Sequence, residues 1–275
     1  LPDRTGLSVQ VLRPHREDLV DDVVRRSVFF ASLDDETAET LFSRLEVLHR
    51  RRGDVIFRQD DPAQELWLIA DGRVKLARTT ADQRETVIAV VGPGEVFGET
   101  CLLEGTPRAA TATAICETTL IVVKIADVDL IIATHPDVVP QLMQVLARRL
   151  RNANELLSEL AFRDVPGRVA RALVELGGRF GERTCDGLLV AHGLTQEELA
   201  QLVGASREAV NKALSDFAAR GWLRLQLRAV YLLNLQRLQR RAHLHPTAPP
   251  TVVSPRAPGH GALGTAGGLG VRPPG

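Results

Sequence analysis

A chain of 275 residues has room for two modest domains and a tail, and its 44% hydrophobic content is that of a globular protein. No apolar run approaches the roughly 18–20 residues of a membrane span, and residues 1–26 lack the apolar block of a signal peptide, so the chain reads as soluble and cytoplasmic with no membrane partner. Net charge is zero but unevenly divided: residues 27–162 carry 14 basic and 21 acidic side chains, residues 163–243 carry 13 and 8.

An acidic front half and a basic back half suit a sensor joined to a nucleic-acid reader, although two solvated surfaces of chance asymmetry would look the same. Cys101, Cys116 and Cys185 lie far apart with no Cys-x-x-Cys pair, which excludes a disulfide framework and a zinc or iron–sulfur signature. The histidines are scattered too, only His243 and His245 being close, and no metal is expected.

In chain order, residues 1–26 mix charge with little periodicity and form a leader of uncertain order. Ser32-Leu33-Asp34-Asp35 has capping-box spacing and opens a predicted short helix to about Leu45. From Val47 to Lys124, short runs of Val, Ile, Leu and Thr alternate with Gly53-Asp54, Asp60-Asp61-Pro62, Asp71-Gly72 and Gly92-Pro93-Gly94. Leu66–Ala70, Arg73–Arg78 and Thr86–Val91 read as strands, and such spacing predicts an antiparallel β-barrel or sandwich. We assign residues 27–135 to this effector-binding domain.

At Ile125 the apolar period lengthens. Val139, Leu142, Leu146, Ala153, Leu156 and Leu160 follow three- and four-residue steps, interrupted only by Arg149, and predict a helix from Pro136 to about Phe162. Residues 136–163 form a dimerisation helix in this reading, with Leu142, Leu146, Ala153, Leu156 and Leu160 as its coiled-coil seam. Packing on its own barrel is the alternative, but a barrel needs a helix face for far less than this length.

Asp164-Val165-Pro166-Gly167 breaks the helix as a hinge and opens a second domain, residues 164–243. A helix over about Arg168–Phe180, a loop over Gly181–Gly187 and a helical pair at Thr195–Leu202 and Ser206–Arg220 follow. Leu223, Leu225, Leu227, Val230 and Leu232 then form a predicted β-hairpin wing. From Pro246 to Gly275, 14 of 30 residues are Pro or Gly, a composition that buries no core, so residues 244–275 are an expected disordered tail. The fold class is α+β.

The helical pair carries the sharpest signal. Thr195 can cap the first helix with Glu198 at the capping-box position, and Leu199, Ala200 and Val203 form its buried stripe. Gly204 permits the tight turn, and Ser206 caps the second helix. Arg207, Glu208 and Lys212 then lie near the N-terminal face that enters the major groove in helix-turn-helix proteins. A charged helical hairpin without DNA affinity is the bland alternative.

A second constellation is Gly94-Glu95-Val96-Phe97-Gly98-Glu99 followed by Pro107-Arg108-Ala109-Ala110. A Gly-rich bend entering a helical turn offers backbone N–H groups to an anion. Arg108 can clamp a phosphate, and Glu99 can accept from a sugar hydroxyl. Alone, the pair reads equally as a surface ion pair.

Together these residues resemble the cyclic AMP receptor protein/FNR family over roughly residues 27–243. The likeness is greatest to its actinobacterial receptor proteins, through Asp164-Val165-Pro166-Gly167-Arg168-Val169-Ala170, Leu194-Thr195-Gln196-Glu197-Glu198 and Val203-Gly204-Ala205-Ser206-Arg207-Glu208. The resemblance implies a cyclic-nucleotide-type barrel (a jelly roll), a long dimerisation helix and a winged helix-turn-helix. It implies a homodimer on double-stranded DNA at a site like TGTGA-N6-TCACA, with RNA polymerase as a partner and no catalysis. By the same resemblance the effector site comprises Gly98, Glu99, Thr100, Arg108, Ala109 and Asn154, and cyclic AMP is the expected ligand. The DNA-contacting set comprises Thr195, Gln196, Ser206, Arg207, Glu208, Asn211 and Lys212.

The departures bear on the effector. Members that bind cyclic AMP usually follow the phosphate-binding Arg with Ser or Thr, where this chain has Ala109. They also place Thr and then Ser or Asn on the long helix against the adenine, where this chain has Ala153 and Asn154. Each lost hydrogen bond to an ionised group is worth about 1.5–3 kcal/mol, so an effector-independent or differently liganded regulator stays open. Asn211 stands where other members carry Gly, and Leu227 where a wing turn carries Gly. A nucleotide-hydrolysing enzyme would need a metal cluster or a nucleophile–base pair, and the barrel offers only His49 with dispersed carboxylates. A regulatory subunit of a kinase or channel would not need the helix-turn-helix.

Overall fold

The computed structural model describes residues 45–100 and 106–242, with Val23 and Ser27. Of the expected leader only Val23 is described; the helix opening at Ser32, Cys101, the His243–His245 pair and the tail 244–275 lie outside the described residues.

Eight strands build the first domain: β1 (Glu46–Arg50), β2 (Val55–Phe57), β3 (Glu65–Asp71), β4 (Val74–Thr79), β5 (Glu85–Val91), β6 (Val96–Phe97), β7 (Thr111–Ala114) and β8 (Thr118–Lys124). They pair antiparallel in two sheets, ordered β1-β8-β3-β6 and β2-β7-β4-β5. Trp67, Ile69, Val74, Leu76, Phe97, Leu120 and Val122 fill the space between them. The other face of β3 and β8, with Leu66, Leu68, Ile121 and Val123, is covered by α1 (Ile125–Thr134) and by Val138 opening α2 (Val138–Phe162). Leu66–Ala70 is therefore apolar without alternation, because both faces of its strand are covered.

The second domain runs α3 (Val165–Phe180), β9 (Gly181–Thr184), β10 (Gly187–Val190), α4 (Gln196–Val203), α5 (Arg207–Ala219), β11 (Leu223–Gln226), β12 (Ala229–Leu232) and α6 (Leu235–Arg241). Val169, Leu173, Val210, Leu214 and Phe217 join the helices, and the sheet β11-β12-β10-β9 closes against them. Its core continues into the barrel: Ala77, Val87, Val90 and Ile115 belong to the same buried cluster. The reader thus covers the outer face of the second barrel sheet.

Two expectations are corrected, and the expected wing forms. The helix after the hinge begins at Val165 rather than Arg168, because the Asp164 carboxylate accepts from the Gly167 N–H at 3.0 Å and Pro166 sits in the first turn, where its missing N–H costs nothing. Only Arg163 and Asp164 separate the two helices. The expected loop Gly181–Gly187 is instead a β9–β10 hairpin. Its first strand, Gly181-Glu182-Arg183-Thr184, is a largely exposed edge, so no apolar alternation marks it. The wing closes through Leu227 and Arg228, and Arg228 takes the left-handed conformation at φ 56° where a Gly would be usual. Leu227 is 87% exposed at the tip.

Candidate effector pocket and nucleic-acid interface

The barrel cassette starts where β6 pairs with β3 through Trp67–Phe97. Gly98 follows at φ +82°, and a Cβ there would stand 2.6 Å from Arg108 Nη1. That close approach lets the guanidinium donate to the Gly98 carbonyl at 3.2 Å. Arg108 also lies 4.2 Å from the centre of the Phe57 ring, itself stacked on Phe97, which stacks on Trp67. In a chain with 4% aromatics, three of them form a platform beneath this one cation. Backbone bonds between Arg108 and Asp60–Asp61 fix the loop.

Glu99 and Arg108 are both buried, at 5% and 4% exposure; Thr100 is half-buried and Ala109 exposed. The cassette therefore brings Gly98 and Arg108 together, with Glu99 and Thr100 following Gly98 in the chain and Ala109 following Arg108. Asn154 and Ala153 sit apart on α2, exposed. Among the described residues no group of His, Cys, Asp and Glu is placed to hold a metal ion.

In the reader, both expected caps form. The Thr195 hydroxyl accepts from the Glu198 N–H at 3.1 Å while the Glu198 carboxylate accepts from the Thr195 N–H at 2.7 Å. Gly204 ends α4 at φ 63°, its N–H donating back to Ala200 and Gln201. Ser206 caps α5 by accepting from the Ala209 N–H at 3.2 Å.

These caps leave Gln196, Ser206, Arg207, Glu208 and Lys212 exposed, with Thr195 and Asn211 half-buried. The backbone N–H of Glu208, then the Ser206 hydroxyl and Arg207, hold the Glu208 carboxyl below the usual range, so it is an acceptor at neutral pH. Thr195, Gln196, Arg207, Leu225, Leu227 and Arg228 help line a cleft of about 580 Å³ between the wing and the start of both helices.

The sequence reading missed the barrel–reader contact. The Lys75 ammonium meets Glu198 at 2.7 Å and Glu85 at 3.0 Å. Burial opposes the Lys75 charge, but the two carboxylates outweigh it and raise its pKa. Glu198 is the mirror case: burial opposes its charge, and Lys75 with the Thr195 N–H more than compensates. Arg52 donates to the carbonyls of Ile115 and Gly193 at 2.6 and 2.9 Å, and Arg179 pairs with Glu95. His192 is buried at this boundary, its Nδ1 accepting from the Leu194 N–H at 3.1 Å. Burial, aided by Arg73, pushes its imidazole down to about 4. No spacing rule pairs Lys75 with a residue more than a hundred positions away.

A buried arginine cassette in a double-sheet barrel, joined to capped helices beside a β-wing, defines a ligand-sensing transcription regulator. Comparison with known proteins agrees: residues 47–135 match the cyclic nucleotide-binding domain and residues 167–241 the Crp-like helix-turn-helix domain. Over 223 residues the chain is 42% identical to the CRP-like cAMP-activated global transcriptional regulator of Mycobacterium tuberculosis, covering 81% of this chain and 100% of that one. It is 36% identical over 202 residues to the cyclic AMP receptor protein of Thermus thermophilus, covering 74% and 90%. FixK2 from Bradyrhizobium japonicum superposes with a TM-score of 0.65 at 25% identity, over 74% of this chain and 99% of that one. The chain belongs to the cyclic AMP receptor protein/FNR family of transcription regulators.

Proposed function

We propose that this regulator binds a palindromic DNA site as a homodimer under the control of a cyclic nucleotide, cyclic AMP first among them. The observation that carries the DNA reading is the pair of capped helices that leaves Arg207 and Glu208 exposed beside the wing. Arg207 donates to guanine O6 and N7, and Glu208 accepts from a cytosine amino group. Ser206, Lys212, Thr195 and Gln196 hold phosphates or the edge of the site, and Asn211, half-buried, tunes one position. Selection from a random DNA pool, with and without nucleotide, tests this reading; it predicts inverted half-sites similar to TGTGA and TCACA one helical turn apart. Recovery of no palindrome by a folded dimer overturns it.

The effector is held by Gly98, Glu99 and Arg108, with Thr100, Ala109 and Asn154 completing the site. The absence of a hydroxyl at Ala109 favours weaker cyclic AMP binding than in a relative with Ser or Thr there, and keeps a different nucleotide as the second reading. Calorimetry with cyclic AMP, cyclic GMP and cyclic di-GMP separates the two. No step in this function is catalytic, and the relatives are themselves regulators, as their names state.

Dimerisation runs along α2. Leu146 is half-buried and Ala153 exposed; the side chains of Leu142, Leu156 and Leu160 lie outside the described set. Val139, Met143, Leu150 and Leu157 are exposed apolar side chains, and with Leu146 and Ala153 they make a continuous row of four- and three-residue steps. That is the 3.5-residue repeat of a two-helix seam. A second copy is the partner that covers it, and RNA polymerase is the partner of the DNA-bound dimer. The setting for all of this is the cytoplasm.

A further inference from the structure

At the junction of the long helix and the reader, one guanidinium gathers three backbone carbonyls. Arg168 donates through Nη1 to Arg163 O at 2.8 Å, through Nε to Val203 O at 2.9 Å and through Nη2 to Gly204 O at 3.0 Å. Arg163 directly follows α2, whose last carbonyls have no partner within the helix. Val203 and Gly204 end α4 at the turn of the helix-turn-helix. Arg168 thus ties the negative ends of two helices that otherwise belong to different parts of the molecule. The guanidinium is planar and its donors are fixed in a fork, so the three bonds set an angle between those helices as well as a distance. Two further bonds close the junction: Arg163 donates to Ala242 O, and Arg241 pairs with Asp164.

We infer that Arg168 is a positioning residue that sets the angle of each reader domain to the dimer helix, and through it the half-site spacing the dimer accepts. This rests on the reading of the protein as a dimer on an inverted repeat. In such a dimer the distance between recognition helices depends on how each reader is held on its long helix. Arg168 is half-buried, spends its donors on the Arg163, Val203 and Gly204 carbonyls, and is not among the exposed residues of the reading face. Its loss therefore loosens geometry and leaves base contacts in place.

The experiment measures affinity of the full chain for duplexes whose two half-sites are separated by four to eight base pairs, and for a duplex with one half-site. The parent should prefer one spacing. Arg168→Gln should lose about tenfold of that preference while its affinity for the single half-site shifts by less than about threefold. Arg168→Lys keeps the charge without the fork and should behave like Gln rather than rescue; it decides the matter if the Gln variant does not fold. A spacing preference equal to the parent's in the folded variants overturns the strut alone. A parent that binds no paired half-sites at any spacing overturns the regulator reading and the strut with it.

Discussion

Lys75 on β4 and Glu198 in the first turn of α4 close an ion pair at 2.7 Å between barrel and reader, with side-chain exposures of 14% and 17%. The same carboxylate completes the capping box with Thr195, so one residue serves the local start of the helix and the docking of the domain. At this burial the pair lies between surface bridges worth under about 1 kcal/mol and buried ones whose rupture costs about 3–5 kcal/mol.

A double-mutant cycle isolates that pair. Glu198→Gln keeps an acceptor for the capping box and removes the charge; Lys75→Met removes the partner. Chemical denaturation of the four proteins should give a coupling of about 2 kcal/mol. A coupling near zero would mean the domains are held without this pair, by Val87, Val90 and their apolar neighbours together with the Arg52–Gly193 and Arg179–Glu95 contacts.

His192 predicts an acid sensitivity. Burial pushes its imidazole from the ordinary 6.5 down to about 4, so the unfolded chain binds its proton first as pH falls. The stability it confers is intact above pH 6.5 and is lost progressively as the pH falls toward 4, by up to about 3 kcal/mol. His192→Asn retains an acceptor for the Leu194 N–H and cannot protonate. Denaturation midpoints measured between pH 4 and 7 should fall less steeply for this variant; parallel curves would remove His192 as the cause.

Gly98 predicts a selective loss of ligand. A methyl group at φ +82° adds about 1–2 kcal/mol of strain and would stand 2.6 Å from Arg108 Nη1. Gly98→Ala should stay folded and bind cyclic AMP at least about tenfold more weakly by calorimetry, because the guanidinium must move. Unchanged binding would place the phosphate elsewhere.

Leu157 tests the seam on α2. It is 65% exposed in the single subunit, so Leu157→Glu strains nothing until two helices meet. Placed in a two-helix interface it buries like charges, and sedimentation should show a monomer. A tight dimer would move the interface off this row.

How much of this was legible beforehand follows from the range of the interactions. The caps at Thr195 and Ser206 and the turn at Gly204 are written within a few residues of one another, and their defining hydrogen bonds are local. The strand at Leu66–Ala70 was equally clear, because covering both its faces leaves a continuous apolar run.

What tertiary structure alone decided is which distant groups meet. Arg108 lies over Phe57, Lys75 pairs with Glu198, and Arg168 reaches the carbonyls of Val203 and Gly204. None of these pairs has a sequence period, since the chain folds back to create them. Backbone carbonyls at a helix end accept from any donor brought near, whatever residues bear them, so composition carries no trace of the Arg168 junction. The sequence by itself determined the elements with a local period or cap and the chemistry each could offer; packing decided the exposed edge strand Gly181–Thr184, and the angles and neighbours through which that chemistry acts.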